Sequence, residues 1–324
     1  MGMRRSTLWL VSITSSLLLL SVVVGQVDWR VARSLIFSID YGWVAGGIAL
    51  LIVEGLITAA RFRLLARTTA SYSDCLKATA CYVVMLILLP ARLGEVAGIG
   101  FIARYMHERA GAAAASLLFQ RVFDVIILVT VLAAVCFLTI GGLGTLPVLG
   151  STVVVTTLLI LLLIRLEALL AVVVRPLLHR RQEKWPRMFI RTALQVRMVR
   201  RHHINWRRGL KLSGYTVLKW IANLSAIACV VLAVAPMLTP LTAVGVGIVY
   251  NLAAVIPIQT VGGFGISEAA LLGSFSWMGF PLETGAPIAI GIRLVLISAP
   301  ILFWLGVTLN TIIGRFQLTA NERI

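Results

Sequence analysis

The sequence predicts an all-α polytopic membrane protein: about six full spans and two re-entrant helical hairpins, arranged as an inverted-topology repeat. Three observations lead there. The 324 residues are 60% hydrophobic and 13% charged, with a mean hydropathy of +0.99, where a soluble domain is nearer half apolar and a quarter charged. Basic residues cluster between apolar runs instead of spreading over a surface. Two apolar stretches are broken by proline and glycine at places where a lipid-facing helix cannot break.

The stronger break is Pro257-Ile-Gln-Thr-Val-Gly-Gly-Phe-Gly-Ile-Ser-Glu268. Proline removes a backbone donor, and Gly262, Gly263 and Gly265 permit turns that other residues resist. A looser copy stands earlier, at Leu89-Pro-Ala-Arg-Leu-Gly-Glu95. Paired interruptions in two halves of a membrane protein point to a transport site.

In chain order, Arg4 and Arg5 precede an apolar run from Leu8 to Gly25, read as a retained span with a cytoplasmic N-terminus. Gln26 to Asp40 is an outer interfacial segment, and Gly42 to Ala60 returns with Glu54 inside it. Arg61, Arg63, Arg67 and Lys77 mark a cytoplasmic loop. Ala78 to Leu89 and Val96 to Ile102 are each too short for the roughly 20 residues of a crossing, so they form the first hairpin around the break. Ala112 to Thr139 runs outward, Gly141, Gly142 and Gly144 make a turn, and Val148 to Ile164 returns.

Arg175 to Lys211 holds twelve Lys or Arg against one acid, Glu183, and belongs in the cytoplasm against anionic inner-leaflet lipids. The net charge of +17 is thereby explained by topology, and nucleic acid is not an expected partner. Leu212 to Ala235 runs outward to a turn at Pro236–Pro240. Leu241 to Ile256 and Ala269 to Phe280 form the second hairpin, and Ala286 to Leu309 returns to a cytoplasmic C-terminus. The whole is one integral membrane domain over 1–324, with a first half 1–145, the basic loop 175–211 and a second half 212–309. The first hairpin enters from the cytoplasm and the second from outside, which is the inverted repeat.

Seven ionisable groups fall in or beside apolar segments: Glu54, Arg92, Glu95, Arg121, Asp124, Glu268 and Arg293. Each costs roughly 3 kcal/mol at the membrane centre, so they pair, face water or lie shallow. Arg121 and Asp124 are three apart on one helical face and can pair. Ser267 is placed to cap a helix whose dipole Glu268 complements. Arg293 can snorkel, and Glu54 calls for an arginine from another helix. Arginine's planar fork suits phosphate, and glycine-freed backbone amides add donors, so an anionic lipid headgroup fits this set. The four cysteines have no metal-ligand spacing, and no metal or cofactor is expected.

Three motifs in order, Pro90-Ala-Arg-Leu-Gly-Glu95, Gln120-Arg-Val-Phe-Asp124 and Pro257 to Glu268, resemble those of the lysylphosphatidylglycerol synthase transmembrane-domain family. Its members include the flippase half of the multiple peptide resistance factor and stand-alone flippase-like proteins. The resemblance covers most of the chain and implies a plasma-membrane lipid flippase with two re-entrant hairpins. It implies no enzyme activity in this polypeptide, since the aminoacyltransferase domain is not expected here. Gln120 departs from the acid expected before the arginine. The substrate-binding residues would then be Arg92, Glu95, Arg121, Asp124, Gly262, Gly263, Gly265 and Glu268, with Glu54 and Arg293 as further candidates. A lipid-modifying enzyme or glycosyltransferase is a candidate partner, and an oligomer is compatible. The competing readings are a glycosyl- or phosphotransferase acting on lipid phosphate and a non-catalytic partner of an envelope-synthesis complex.

Overall fold

The computed structural model describes residues 39–66, 70–89, 93–140, 147, 150–154, 156–158, 206–254 and 265–321. The expected span at 8–25, residues 159–164 of that at 148–164, residues 175–205 of the basic loop 175–211, the turn at Gly141, Gly142 and Gly144, and Arg67, Arg92, Gly262 and Gly263 lie outside them. The described elements are helices, with no strand among the described residues. They are α1 (Tyr41–Leu65), α2 (Tyr72–Leu88), α3 (Leu93–Tyr105), α4 (Ala110–Ile140), α5 (Trp206–Val234), α6 (Pro240–Ala253), α7 (Ile266–Trp277) and α8 (Leu282–Asn321). Four are long and apolar enough to cross a membrane: Tyr41–Leu65, Ala110–Leu138, Arg207–Val234 and Leu282–Ile313.

Local chemistry sets the helix starts. Asp40 Oδ1 accepts from Gly42 N–H at 2.8 Å and opens α1. Ser71 Oγ accepts from Asp74 N–H at 3.1 Å and donates to its carboxylate at 2.6 Å, a side-chain cap for α2. That cap moves the helix start to Tyr72, six residues before the expected arm, and puts Lys77 within a helix, not a loop. Thr239 caps α6 by accepting from Thr242 N–H at 3.2 Å, with Pro240 at the first helical position, where its missing N–H costs nothing. The expected turn at Pro236–Pro240 is therefore present.

Both halves run long, short, short, long: 25, 17, 13 and 31 residues for α1–α4, then 29, 14, 12 and 40 for α5–α8. At about 1.5 Å per residue, α3, α6 and α7 are each shorter than a hydrocarbon core of about 30 Å.

Contacts divide the chain into two compact units. One comprises Met1–Leu56, Leu76–Gly98 and Ile221–Ile324; the other comprises Ile57–Cys75 and Ile99–Trp220. In the first, α5, α6, α7 and α8 share a core of Ile227, Val230, Val231, Val234, Val246, Leu271, Phe275 and Ile292. Small residues bring its helices close: a side chain at Gly47 would meet Ala226 O at 3.0 Å, and one at Gly55 would meet the Phe303 ring at 3.0 Å. In the second unit, Leu65, Ala112, Ala115, Phe119 and Leu212 form a smaller core.

Also in the first unit, Gly94 lies against Leu86, where an added Cβ would come within 2.7 Å of Leu86 Cα and overlap Met85 O. Four residues on, Gly98 abuts the Tyr82 ring. Advancing by four along α3 thus retreats by four along α2, so the two helices pack antiparallel as a hairpin.

Gly94→Ala drives a methyl into backbone, which cannot move aside as a side-chain tip can. It should cost about 1–3 kcal/mol, read as a lower midpoint in detergent unfolding. Gly100→Ala, which meets nothing within 4 Å, should leave the midpoint unchanged or raise it.

Cys75 is buried ahead of the apolar arm, and burial pushes its thiol up to about 11 from 9.0, with Arg63 opposing and Asp74 and Glu108 adding to the rise. The folded state holds this proton more tightly than the unfolded chain does. The associated stability is present below the ordinary thiol value and is lost as pH climbs toward about 11. Maleimide at pH 8 should label Cys75 only after unfolding; rapid labelling of the folded protein would contradict the burial.

Candidate functional site

The apolar helices carry three polar groupings, each inside one unit. In the first unit, α7 begins at Gly265, whose φ of 92° is a conformation that favours glycine. Glu268, three residues on and 1% exposed, turns back so that its Oε2 accepts from Gly265 N–H at 2.5 Å. The carboxylate thus satisfies a backbone donor that would otherwise be orphaned at the break. Gly265, not Ser267, is the N-cap; Ser267 lies inside the helix. The carboxylate makes the N3-to-N-cap half of a capping box, the half that a glycine N-cap can still receive, and brings a full charge to the helix start.

That charge is answered from α8. Arg293 Nε lies 3.3 Å from Glu268 Oε1, and both side chains are buried, at 9% and 1% exposure. Arg293 Nη1 donates to the Tyr250 hydroxyl of α6, whose ring the guanidinium also faces at 5.7 Å. Arg293 therefore does not snorkel: its partners hold it inside the unit. The Nε–Oε1 approach is a charge contact that is not aligned as a hydrogen bond, and Glu268 Oε1 accepts none among the described residues.

The second grouping is a chain of amides ending in a carboxylate. Asn251 donates to Gly247 O at 2.8 Å and to Asn223 Oδ1 at 2.9 Å, and Asn223 donates to Glu54 Oε2 at 2.9 Å. The arginine expected for Glu54 is replaced in this bond by an asparagine from α5. Amides solvate a carboxylate without burying a second charge.

The third grouping belongs to the second unit. Asp124 Oδ1 on α4 pairs with Arg61 Nη1 at 3.0 Å and accepts from Trp220 Nε1 at 3.1 Å. Arg61 Nη2 donates to the Gln120 carbonyl at 3.1 Å. Arg61 is 1% exposed, so it marks no loop: α1 continues through it to Leu65 and buries it. Asp124 takes its salt bridge from a distant helix, whereas Arg121, its i−3 neighbour, is exposed. Ser116 and Gln120 precede Asp124 at four-residue steps on the same face and are buried at 1% and 4%. Among the described residues, Ser116 Oγ, Gln120 Nε2 and Arg61 Nε find no hydrogen-bond partner.

Of the residues expected to bind substrate, Gly265 and Glu268 are brought together and joined by Arg293. Glu95 stands in the first turn of α3, half-buried. Arg61, Trp220, Asn223, Tyr250 and Asn251 are the polar residues that sequence reasoning passed over. The two asparagines were detectable as amides inside apolar runs. Arg61 was masked by its neighbours Arg63 and Arg67.

A family model for the lysylphosphatidylglycerol synthase TM region matches residues 9–303. The chain belongs to this family. It is thus a multi-pass membrane domain of a family linked to lipid synthesis, and all three groupings lie within the matched residues. No curated protein and no solved structure matches the chain.

Removing Arg61 strands a buried carboxylate. Arg61→Met should cost about 3–5 kcal/mol, measured by detergent unfolding. Arg61→Met with Asp124→Asn should cost clearly less than the two single changes summed. Strict additivity would mean that the pair is not coupled.

Proposed function

We propose that this protein is a flippase-like transporter that moves an anionic or glycosylated lipid between leaflets without covalent chemistry on it. The substrate class is a phospholipid or a polyprenyl-phosphate-linked sugar. The observation that carries this reading is the buried Glu268–Arg293 pair at the start of a short helix opened by a left-handed glycine. A charge pair so placed costs several kcal/mol to desolvate, and packing alone would be served as well by apolar residues. In this reading the pair exchanges partners with the headgroup, the Glu268 carboxylate serving as acceptor and the Arg293 guanidinium as donor to phosphate.

Family membership and the long–short–short–long order of both halves support the same reading. In it, α2 with α3 and α6 with α7 are re-entrant hairpins of an inverted repeat, entering from opposite leaflets. The headgroup crosses beside the hairpin tips while the acyl chains stay in lipid. We assign headgroup contact to Arg92, Glu95, Arg121, Asp124, Gly262 and Gly263 from the motifs that carry them.

Arg121 gives the clean test, because it is exposed and its loss leaves the Arg61–Asp124 pair intact. In vesicles carrying a headgroup-labelled anionic lipid, Arg121→Ala should slow protein-dependent translocation by about tenfold or more, equivalent to ~1.4 kcal/mol, with an unchanged unfolding midpoint. Undiminished flipping would remove Arg121 from the path. Wild-type vesicles no faster than protein-free ones would sink the transporter reading itself.

A further inference from the structure

The second unit contains a groove of about 530 Å³ that none of the three polar groupings uses. Ala60, Arg63 and Leu64 line it from the last turns of α1, Tyr72 from the first turn of α2, and Lys211 and Tyr215 from the start of α5. The helical register produces this set. Residues 60, 63 and 64 share one face of α1, and 211 and 215 share one face of α5. Two cations and two phenol hydroxyls therefore converge on one concavity, and none of its described lining residues is acidic.

The groove's level along the helices is also fixed. Arg63 and Leu64 end the candidate span Tyr41–Leu65, and Lys211 lies near the start of the candidate span Arg207–Val234. Span ends sit in the headgroup layer, where tyrosine and basic residues concentrate. Desolvation raises the Tyr72 hydroxyl above its ordinary 10.0, with Cys75 and Tyr215 adding to the rise, so it remains a proton donor at any physiological pH. The volume lies in the usual range for small-molecule sites, about 300–1,000 Å³. Ala60 and Leu64 supply an apolar edge.

We propose that this groove is a phosphate site that holds the headgroup of an anionic lipid at the membrane surface, separate from the translocation residues. Arg63 grips the phosphate oxygens with its fork and Lys211 supplies a second charge. Tyr72 and Tyr215 donate to the remaining oxygens, and the glycerol backbone rests on Leu64 and Ala60. Such charge-assisted bonds are about twice as strong as neutral ones. Surface lysines scattered around a protein would give only diffuse, salt-screened attraction. The proposal concerns binding and stands whether or not the protein transports lipid.

The test is lipid retention in native mass spectrometry, on purified protein titrated with phosphatidylglycerol or phosphatidylcholine in neutral detergent. The wild type should retain phosphatidylglycerol selectively. Arg63→Gln with Lys211→Gln should weaken that retention by about tenfold or more. Arg104→Gln with Arg109→Gln, exposed basic residues outside the groove, removes the same charge and should leave retention unchanged. Lys211→Glu, a change at an exposed position, should weaken it at least as far as the glutamine pair while the unfolding midpoint stays unchanged. Inorganic phosphate added alongside separates the two sources of the anion. Failure to displace the lipid assigns the site to a headgroup, and displacement at low concentration assigns it to a soluble phosphate. Equal loss in the groove pair and the control pair, or no loss in either, would overturn the site.

Discussion

The buried charges among the described residues are answered from other helices, and that requirement governs the rest. An ionised side chain among apolar helices is tolerated at roughly 3 kcal/mol or more only when something compensates it. Asp124 is compensated by Arg61 and Trp220, Glu268 by Arg293 and Gly265 N–H, and Glu54 by Asn223. Apart from the local bond to Gly265 N–H, each contact joins two helices, so the polar groups fix which helices meet and at what rotation. Apolar contacts cannot do this alone inside a bilayer, where lipid tails are as apolar as leucine.

Close approach is the complementary device. The core of α5 to α8 is filled by branched and aromatic residues, whereas contacts at Gly47, Gly55, Gly94 and Gly98 depend on having no side chain. At Gly94 the neighbour is backbone, which fixes the distance and register of α2 and α3 together. The antiparallel packing of α2 and α3 thus rests on contacts spread along both helices.

Much of this was legible in the sequence. Apolar runs gave α1 and α4 to within about five residues, but α5 starts six residues before its expected span and α8 runs twelve residues past its own; runs too short to cross gave α2, α3, α6 and α7. Pro236 to Pro240 was readable as a turn because proline and threonine there act locally. The pairing of charges was not readable. The i, i+3 spacing of Arg121 and Asp124 is a local signal, and it lost to Arg61, which only tertiary packing brings to the carboxylate. Arg61 was invisible for a related reason: a basic run at a span's end looks the same whether its first member points to water or inward. Ser267 next to Glu268 suggested a hydroxyl cap, but the positive φ at Gly265 starts the helix two residues earlier. Arg293 was placed by depth alone, and depth carries no information about a tyrosine on α6.

Tyr250 and Asn251 are consecutive on α6, about 100° apart around its axis. One binds Arg293 of α8 and the other Asn223 of α5. The helix is therefore held like a shaft keyed at two angles, since rolling it either way breaks both attachments together. Small rotation is resisted steeply, and a larger one must release α5 and α8 in concert. The dipeptide is thus a torsional lock, and softening either half would loosen the same degree of freedom.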